Sequence, residues 1–313
     1  MTTVRVIDAP SNLGLRPPAP GTTPGTAGAP EALRSAGLLP GLEAVVSVVD
    51  GGVVPAPPYD HAEWAREDPG VRHAAQLAQY ARALADVLGA AFDDGELPLV
   101  LGGDCSVLLG SALALRRRTA DRGLRTGLVF VDGHSDFRHP GNTDVAGPVG
   151  AAAGEDLALV TGRGQAGLAD LDGLGPLFSD DDVVVLGPRP GEPDLAELAS
   201  VGIPVRTSAQ VRADGGRPAA SWAASHVSAP GGFWLHLDVD VLDPSVLSAV
   251  DSPDPDGLMP DDLVDLLVGL LSTGRCMGVE VTVFDPTQDV DGAQARLLVD
   301  VLSRAFAGGI VTP

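Results

Sequence analysis

Short apolar runs rich in valine and leucine alternate along the chain with longer segments rich in alanine and leucine. The short runs have the length and residue types of buried strands, and the longer segments have the length of helices. Strands that alternate with helices predict a parallel sheet covered on both faces. We therefore expect a three-layer α/β/α fold around a central, mostly parallel sheet. The strand-like runs are LPLVLGG near residue 100, TGLVFVDG near 130, DVVVLG near 185, GFWLHLDVDV near 237 and CMGVEVTVF near 280.

Two of the longer segments carry clear helix signals. Apolar residues recur at helical spacing from Val71 to Ala91, which predicts a helix that covers the sheet. The run from Asp261 to Leu271 has the same spacing, and Pro260 before it is a start signal. No internal repeat or convincing linker divides the sequence, so we expect residues 1–313 to form a single domain.

The stretch RPPAPGTTPGTAGAP, from Arg16 to Pro30, differs from the rest of the chain in its proline and glycine content. Such a stretch is not expected to form regular structure. Long loops inside compact domains are usually functional or disordered. The sequence therefore predicts either a mobile surface loop or a lid at this place.

The charge of the chain narrows the range of partners. Its 20 basic and 42 acidic residues give a formal net charge of −22, which would repel nucleic-acid phosphates and anionic lipid. All the basic residues are arginines, which excludes chemistry that needs a lysine. No signal-peptide pattern or membrane-length apolar run is present, so we expect a soluble cytoplasmic protein with no membrane partner. The two cysteines, Cys105 and Cys276, do not indicate a disulfide framework.

Acidic residues and a histidine follow two of the strand-like runs. Asp132, His134 and Asp136 are spaced two residues apart in FVDGHSDF, and Asp238 and Asp240 have the same spacing in HLDVDVLDP. An extended backbone directs residues at this spacing to one face, and ligands of open α/β sheets collect where strands end. Carboxylates gathered in one crevice repel each other unless divalent cations are bound between them. The alternative is that these residues only cap turns at the strand ends.

A third segment, GGDCS at 102–106, makes this pattern specific. Together the three segments resemble the forms GGDHS, DAHxD and SxDxDxxDP of the ureohydrolase family, which includes arginases, agmatinases and formiminoglutamases. The resemblance extends to GAPEALRSAGL near the N-terminus, SPDPDGL after the third segment and VTVFDP near the end, so it covers most of the chain. It implies an arginase-like fold and a hydrolase that cleaves a linear C–N bond in a guanidino or amidino small molecule.

The resemblance also implies a set of metal ligands. In the family a hydroxide between two Mn²⁺ ions attacks the guanidino carbon. Carried over by position, Asp132 and Asp238 would bridge the ions, Asp136 would complete one ion, and His134 and Asp240 would complete the other. Asp136 would also pass the proton of the hydroxide to the leaving amine. A homo-oligomer, trimeric or hexameric, is implied as well.

Cys105 stands where the family has a histidine ligand. A thiolate is a softer ligand than imidazole and favours Zn²⁺ or Fe²⁺ over Mn²⁺. The alternative is that Cys105 is a small apolar filler and that one metal site is weak or empty. Arginase-like enzymes that act on hydroxylated guanidines carry this cysteine, so the substrate class includes a hydroxyguanidine or a modified guanidino biosynthetic intermediate.

Two further departures concern the substrate pocket. Val283 aligns with a glutamate that pairs with the substrate guanidinium in the family, and Glu280 lies at an odd offset from it, on the opposite face of a strand. The loop that usually bears a proton-shuttling histidine has none here, and Glu155 and His139 are the nearby candidates, each with an ordinary solvated loop residue as the alternative.

Other patterns carry rival interpretations. GRGQAG at 162–167 matches a dinucleotide-binding fingerprint, but no convincing helix follows it. Ser135 beside His134 permits a serine-hydrolase triad, although no G-x-S-x-G elbow is present. His236 either orients a metal ligand or is an ordinary core histidine. The rival function for the whole chain is a family member that has lost hydrolysis and serves as a binding or assembly subunit.

Overall fold

The computed structural model describes residues 2–67, 69–120, 122–142 and 150–310. One parallel sheet of eight strands runs through them in the order β2-β1-β3-β8-β7-β4-β5-β6, which confirms the predicted α/β fold. The strands are β1 (Thr3–Ala9), β2 (Ser47–Val53), β3 (Leu97–Gly102), β4 (Gly127–Val131), β5 (Val183–Leu186), β6 (Val205–Arg206), β7 (Phe233–Asp238) and β8 (Cys276–Thr282).

Helices cover both faces of the sheet. The predicted segments at 71–91 and 261–271 form α3 and α10, and α10 begins at the proline that signalled its start. The α-helices of the described residues are α1 (Ala29–Ser35), α2 (Leu38–Glu43), α3 (Ala74–Asp93), α4 (Leu108–Ala120), α5 (Asp156–Val160), α6 (Ala166–Ala169), α7 (Leu195–Ser200), α8 (Ser208–Asp214), α9 (Gly216–His226), α10 (Pro260–Leu271) and α11 (Ala293–Gly309).

The alternation of side chains along each strand divides the core into two layers. In β4, Val129 and Val131 pack on the face covered by α1, α2 and α8–α11, whereas Leu128 and Phe130 pack on the face covered by α3–α7. Because both faces are buried, the strands are nearly continuous apolar runs. No helix among the described residues is long and apolar enough to cross a membrane.

The proline- and glycine-rich stretch at 16–30 is more regular than the sequence indicates. Gly25–Gly28 form a 3₁₀ helix, and α1 begins at Ala29. Pro30 lies in the first turn of α1, where a proline is tolerated because no backbone N–H is needed for the helix. The expectation of no regular structure was therefore wrong for the last residues of this stretch.

The G-x-G-x-x-G match at 162–167 has the wrong surroundings for a nucleotide site. It follows α5 rather than a strand, and its last residues lie in the four-residue α6. A dinucleotide fingerprint requires a strand before the glycines and a full helix after them. The structure therefore excludes the nucleotide interpretation of this segment.

The glycine pair after β3 brings the N-terminal loop against the end of this strand. The N–H of Gly103 donates to the carbonyl oxygen of Ala9, and the next N–H, of Asp104, donates to that of Ser11. A Cβ atom on Gly103 would lie 1.7 Å from the carbonyl oxygen of Ser11. Only glycine allows this approach, and the approach fixes where the following residue, Cys105, begins.

We predict that Gly103→Ala destabilises the protein by about 2–3 kcal/mol, because the added methyl group must displace backbone rather than a flexible side chain. The matched control is Gly89→Ala in α3, where a Cβ atom would meet nothing within 4 Å. The control should gain about 0.5–1 kcal/mol from helix propensity. Denaturant unfolding of both variants measures the difference, and equal midpoints would contradict the packing argument.

Candidate active site

Four adjacent strands deliver the candidate residues to one end of the sheet. The order β3-β8-β7-β4 places the carboxyl ends of these strands side by side. Cys105 follows β3, Asp132 follows β4, Asp238 ends β7, and Val283 follows β8. Residues that are distant in sequence are thus brought together by the parallel sheet, as expected for open α/β folds.

Asp104 in the GGDCS segment has a structural task. Its buried carboxylate accepts hydrogen bonds from the Ser11 hydroxyl (2.9 Å), the Gly14 N–H (3.1 Å) and the Ser106 N–H (2.9 Å). The last bond caps the short 3₁₀ helix Cys105–Val107 that leads into α4. The carboxylate therefore anchors the N-terminal loop and aims the Cys105 side chain toward the strand ends.

The thiol of Cys105 is hydrogen-bonded to Asp238 at the end of β7. Its Sγ donates to Oδ2 of Asp238 at 2.7 Å and lies 3.6 Å from the Thr282 hydroxyl. Burial, followed by the nearby carboxylates of Asp238 and Asp156, raises the pKa of this thiol. A bound cation would offset both effects, since metal binding deprotonates a cysteine ligand. Cys105 is buried within the core, but its thiol faces a carboxylate and a hydroxyl.

The segment after β4 directs its side chains at β7. Oδ1 of Asp132 accepts the N–H of His134 at 2.6 Å, whereas its buried Oδ2 has no hydrogen-bond partner. Nδ1 of His134 lies 3.0 Å from Oδ2 of Asp240. Asp136 has a φ of +41°, a left-handed conformation that turns the chain at this point. Asp132 and His134 thus lie close to Asp240, which follows the end of β7.

Arg189 holds the backbone after β7. Its guanidinium is buried, and Nη2 donates to the carbonyl oxygens of Asp240 (2.9 Å) and Asp254 (2.7 Å). Oδ1 of Asp240 in turn accepts the N–H of Gly133 at 3.0 Å. These bonds tie the β4 and β7 segments together beneath the carboxylates.

The carboxylates are arranged as a cation site would require. One ligand atom each from Asp132, His134 and Asp240 lie within 4.8 Å of one another, and so do atoms from Cys105, His236 and Asp238. Burial, followed by repulsion from Asp240, raises the pKa of Asp132 and of Asp238. An orphaned buried oxygen and mutually repelling carboxylates fit a bound metal, which supplies the missing positive charge.

The pKa shifts of His134 and Asp240 favour their charged forms, whereas those of Asp132 and Asp238 favour the neutral forms. Burial disfavours the charged imidazole, but the carboxylates of Asp240 and Asp132 outweigh it and raise the pKa of His134. Burial alone would raise the pKa of Asp240, but the contact with His134 lowers it. The contact between His134 and Asp240 therefore shifts the pKa of each toward its charged form.

A pocket of about 370 Å³ opens above these groups. Its floor contains Cys105, His134, Asp136, Asp238 and Asp240, and its walls carry both signs of charge. The acidic wall residues are Glu155, Glu192 and Asp251, and the basic ones are Arg16 and Arg138. The volume and the mixed charge suit a small polar molecule.

The two candidate proton-transfer residues have different positions. Glu155 lines the pocket, is 2 % exposed, and has one buried oxygen without a hydrogen-bond partner. Burial raises its pKa to about 8, despite the opposing effects of the Gly150 N–H and Arg138. His139 is not among the described residues that line the pocket, because its Nε2 lies 2.7 Å from Oε1 of Glu197. The geometry therefore favours Glu155.

Val283 and Glu280 lie at different depths. Val283 lines the pocket with a φ of +74°, which is strained for a β-branched residue, and its N–H donates to the Gly103 carbonyl oxygen at 2.7 Å. Glu280 is buried and bonds Ser111 (2.6 Å) and His236 (2.7 Å). Glu280 thus does not reach the pocket, but the reason differs from our expectation: β8 ends at Thr282, so strand alternation does not extend to Val283.

The serine-hydrolase interpretation finds no support in the geometry. The Ser135 hydroxyl donates to Oε1 of Glu192 at 2.8 Å, and the Ser135 N–H bonds the same oxygen. Ser135 is fully buried, whereas a nucleophile must face its substrate. Ser135 therefore positions Glu192 in the pocket wall.

Sequence reasoning missed Arg189, Glu192 and Asp251. Arg189 and Glu192 lie in the segment GPRPGE after β5, the next strand beyond β4 in the sheet. A charged pair directly after a buried strand was a usable signal, because strand ends at this edge face the site. Asp251 lies in a long loop after β7, and nothing in its local sequence directs it to the pocket.

An eight-stranded parallel sheet with carboxylates, imidazoles and a thiol at its carboxyl edge defines a metal-binding α/β protein. The sequence model of the Arginase family matches residues 4–308. The chain therefore belongs to the Arginase family, which is dependent on a binuclear metal centre.

The chain is similar to curated arginases along nearly its whole length. It is 27 % identical over 309 residues to an arginase of Agrobacterium fabrum, covering 98 % of this chain and 91 % of that one. It is also 27 % identical over 281 residues to an arginase of Brevibacillus brevis, covering 88 % and 90 %.

Solved structures share the fold. The arginase of Bacillus caldovelox superposes with a TM-score of 0.84 at 24 % identity, covering 98 % of both chains. Proclavaminate amidino hydrolase from Streptomyces clavuligerus superposes with a TM-score of 0.70 at 19 % identity, covering 98 % of this chain and 92 % of that one. At such identities the likeness concerns the fold.

Proposed function

We propose that this protein is a binuclear-metal hydrolase that cleaves a linear C–N bond of a guanidino or amidino small molecule. The observation that carries the proposal is that two groups of side chains able to hold a metal ion each place two members on the floor of one pocket: Cys105 and Asp238 from one group, His134 and Asp240 from the other. Membership of the Arginase family and similarity to arginases and an amidino hydrolase support it.

The chain provides the ligands and the proton carriers for this reaction. Six side chains would hold the metals: Cys105, Asp132, His134, Asp136, Asp238 and Asp240. When bound, a pair of divalent cations supplies a water of lowered pKa and stabilises negative charge on the attacked group. Asp136 would take the proton that the hydroxide releases and pass it to the leaving amine, and Glu155, which burial keeps protonated near neutral pH, would be the proton shuttle of the site.

The pocket favours a substrate whose reacting group is less cationic than a simple guanidine. Val283 places an apolar side chain where an anionic acceptor would hold a guanidinium. The charged wall residues Glu192, Asp251, Arg16 and Arg138 would instead bind polar groups remote from the reacting carbon. Binding energy from such groups offsets a missing local contact. A hydroxyguanidine, a formimino compound or a modified guanidino intermediate fits these walls.

The rival function, a binding or assembly subunit without hydrolysis, is favoured by Val283 alone. Screening metal-loaded protein against guanidino acids, hydroxyguanidines, agmatine-like amines and formimino compounds tests the proposal. Release of urea or amine from one class supports it. Full metal binding with no turnover on any class would favour the rival.

Mn²⁺ as the metal, cytoplasmic location, a single domain and a trimeric or hexameric assembly stay predictions.

Loss of a shared carboxylate should remove metal. We predict that Asp132→Ala or Asp238→Ala abolishes activity and lowers the metal content well below two ions per chain, since each removes a ligand from the buried cluster. Metal analysis after gel filtration measures this. Asp243→Asn is the matched control, because Asp243 lies in the same HLDVDVLDP segment but accepts the N–H groups of Ser245 and Gly257. Full metal content and wild-type turnover in the alanine variants would refute the assignment.

Removal of the acid at Glu155 should change the pH profile. The pKa of Glu155 is raised to about 8, so its proton is present below that pH and is lost as the pH rises through it. We predict a descending limb of kcat near pH 8 in the wild type. Glu155→Gln should lower kcat by about 10²–10⁴-fold and remove the limb.

His139→Asn is the control for Glu155→Gln. Since His139 is bonded to Glu197 rather than directed at the pocket, its replacement should leave the pH profile of kcat unchanged. A profile altered by His139→Asn and unaltered by Glu155→Gln would reverse the two assignments.

Simple guanidines should be poor substrates. Because Val283 offers no charge-assisted acceptor, we predict kcat/KM below about 10⁴ M⁻¹s⁻¹ for arginine, agmatine and guanidinobutyrate. Val283→Glu should raise these values by about tenfold or more. Val283→Gln should not, because glutamine has the shape of glutamate but no charge. A wild-type value above that threshold for any of the three would show that the missing glutamate matters little.

A further inference from the structure

His236 lies beneath Cys105 and is not used by the reaction proposed above. It occupies β7 two positions before Asp238, so both side chains leave the strand on the same face. Its ring is 0 % exposed and stacks on Phe130, with the centroids 4.5 Å apart and the planes at 9°. The imidazole is thus held in one orientation by the core.

A buried carboxylate fixes which nitrogen of His236 carries hydrogen. Glu280 is the register partner of His236 on β8, and its Oε1 lies 2.7 Å from Nδ1. Oε2 of the same carboxylate accepts the Ser111 hydroxyl at 2.6 Å. Because a carboxylate accepts hydrogen bonds, Nδ1 donates to Glu280, and Nε2 is the ring nitrogen that this contact leaves open.

The other ring nitrogen, Nε2, has an ion-pair contact but no hydrogen bond among the described residues. Nε2 is fully buried and makes no hydrogen bond, and Oδ2 of Asp156, 4.0 Å away, also makes none. A ring nitrogen of His236, Sγ of Cys105 and a carboxylate oxygen of Asp238 lie within 4.8 Å of one another. Since Nδ1 is engaged by Glu280, Nε2 is the nitrogen available to this group.

The carboxylate–imidazole arrangement matches that of histidines that bind metals. Such histidines donate their other ring N–H to a carboxylate or carbonyl, which fixes the tautomer and strengthens the donor nitrogen. Glu280 provides this support, and Ser111 holds Glu280 in turn.

Two departures from the family pattern meet at this point. The pattern GGDHS has histidine where this chain has Cys105, and SxDxDxxDP has serine where it has His236. The β3 segment thus has no imidazole at this position, and β7 has one, whose ring nitrogen lies within 4.8 Å of Sγ of Cys105.

We propose that Nε2 of His236 is a metal ligand in the same site as Cys105 and Asp238, forming a thiolate–imidazole–carboxylate site that prefers Zn²⁺ to Mn²⁺. Thiolate and imidazole are the donors that zinc favours, whereas manganese favours oxygen. This inference rests on the metal site of the proposed function but not on hydrolysis.

Direct detection of the bond tests the proposal on the unmodified chain. The protein is labelled with ¹⁵N in its six histidines, stripped of metal by chelation and loaded with spin-active Cd²⁺ as the probe. We expect a scalar coupling between Cd²⁺ and Nε2 of His236. Cd²⁺ bound without this coupling would overturn the proposal and would indicate that His236 interacts with Asp156 instead. Absence of any Cd²⁺ binding would overturn both this inference and the proposed metal centre.

Measurements of Zn²⁺ affinity provide a second test of the proposal. In competition with a chelator, His236→Asn should weaken Zn²⁺ binding at this site by about 100-fold or more, beyond the 10–100-fold typical of residues that only support a ligand. His73→Asn is the matched control, because His73 is equally buried but bonds the carbonyl oxygens of Leu13 and Asp60 with its ring nitrogens. Unchanged Zn²⁺ affinity in a folded His236→Asn protein would contradict the assignment.

The paired replacement Cys105→His with His236→Ser returns both positions to the family pattern. It should shift metal preference toward Mn²⁺, whereas Cys105→His alone should shift it less, because the β7 imidazole remains. An equal shift in the single and double variants would show that His236 does not contribute to the site. If the protein hydrolyses a substrate but shows no scalar coupling between Cd²⁺ and Nε2 of His236, the proposed function holds and His236 is not a ligand.

Discussion

The interaction on which the site depends is the repulsion among buried carboxylates at the ends of β4 and β7. Asp132, Asp238 and Asp240 lie at the carboxyl edge of the sheet, and burial and mutual repulsion raise the pKa of the first two. Hydrogen bonds from backbone N–H groups satisfy one oxygen of each residue, but Oδ2 of Asp132 stays without a partner. A fold tolerates such a cluster when cations occupy it.

The surrounding structure holds the carboxylates in place against this repulsion. Arg189 binds the carbonyl oxygens of the loop after β7, and Asp104 ties the N-terminal loop to the end of β3. The close approach at Gly103 lets the two loops share this edge of the sheet. Neither Arg189 nor Asp104 would touch the metals, so their contribution is to fix backbone that the ligands alone would push apart.

Local patterns in the sequence predicted what depends on local geometry. The spacing of two residues after an apolar run grouped Asp132 with His134 and Asp238 with Asp240 correctly, although β4 ends at Val131 and β7 at Asp238, so turns rather than strand alternation bring them together. The helix at 71–91 followed from its apolar spacing in the same way. Pro30 was misinterpreted because a proline in the first turn of a helix and one in a loop look alike without the residues packed around them.

Features that depend on tertiary contacts were not accessible from the sequence. His139 and Glu155 appeared equivalent along the loop, and only the contact between His139 and Glu197 separates them. The face of Glu280 was argued from strand alternation, which fails because the chain leaves the strand before Val283. The role of His236 depends on Glu280, 44 residues away, which occupies one of its nitrogens.

Cys105 and His236 show why a substituted ligand is best judged with its neighbours. Considered alone, Cys105 indicates either a softer metal or a lost site. The structure places the thiol beside a buried imidazole whose second nitrogen is held by Glu280, so the positions that depart from the family pattern lie in one contact. Val283 has no such partner: the buried glutamate nearest to it in sequence, Glu280, is committed to Ser111 and His236. The floor of the pocket therefore carries groups of side chains that could hold a cation, whereas Val283 gives the wall beside them no charge.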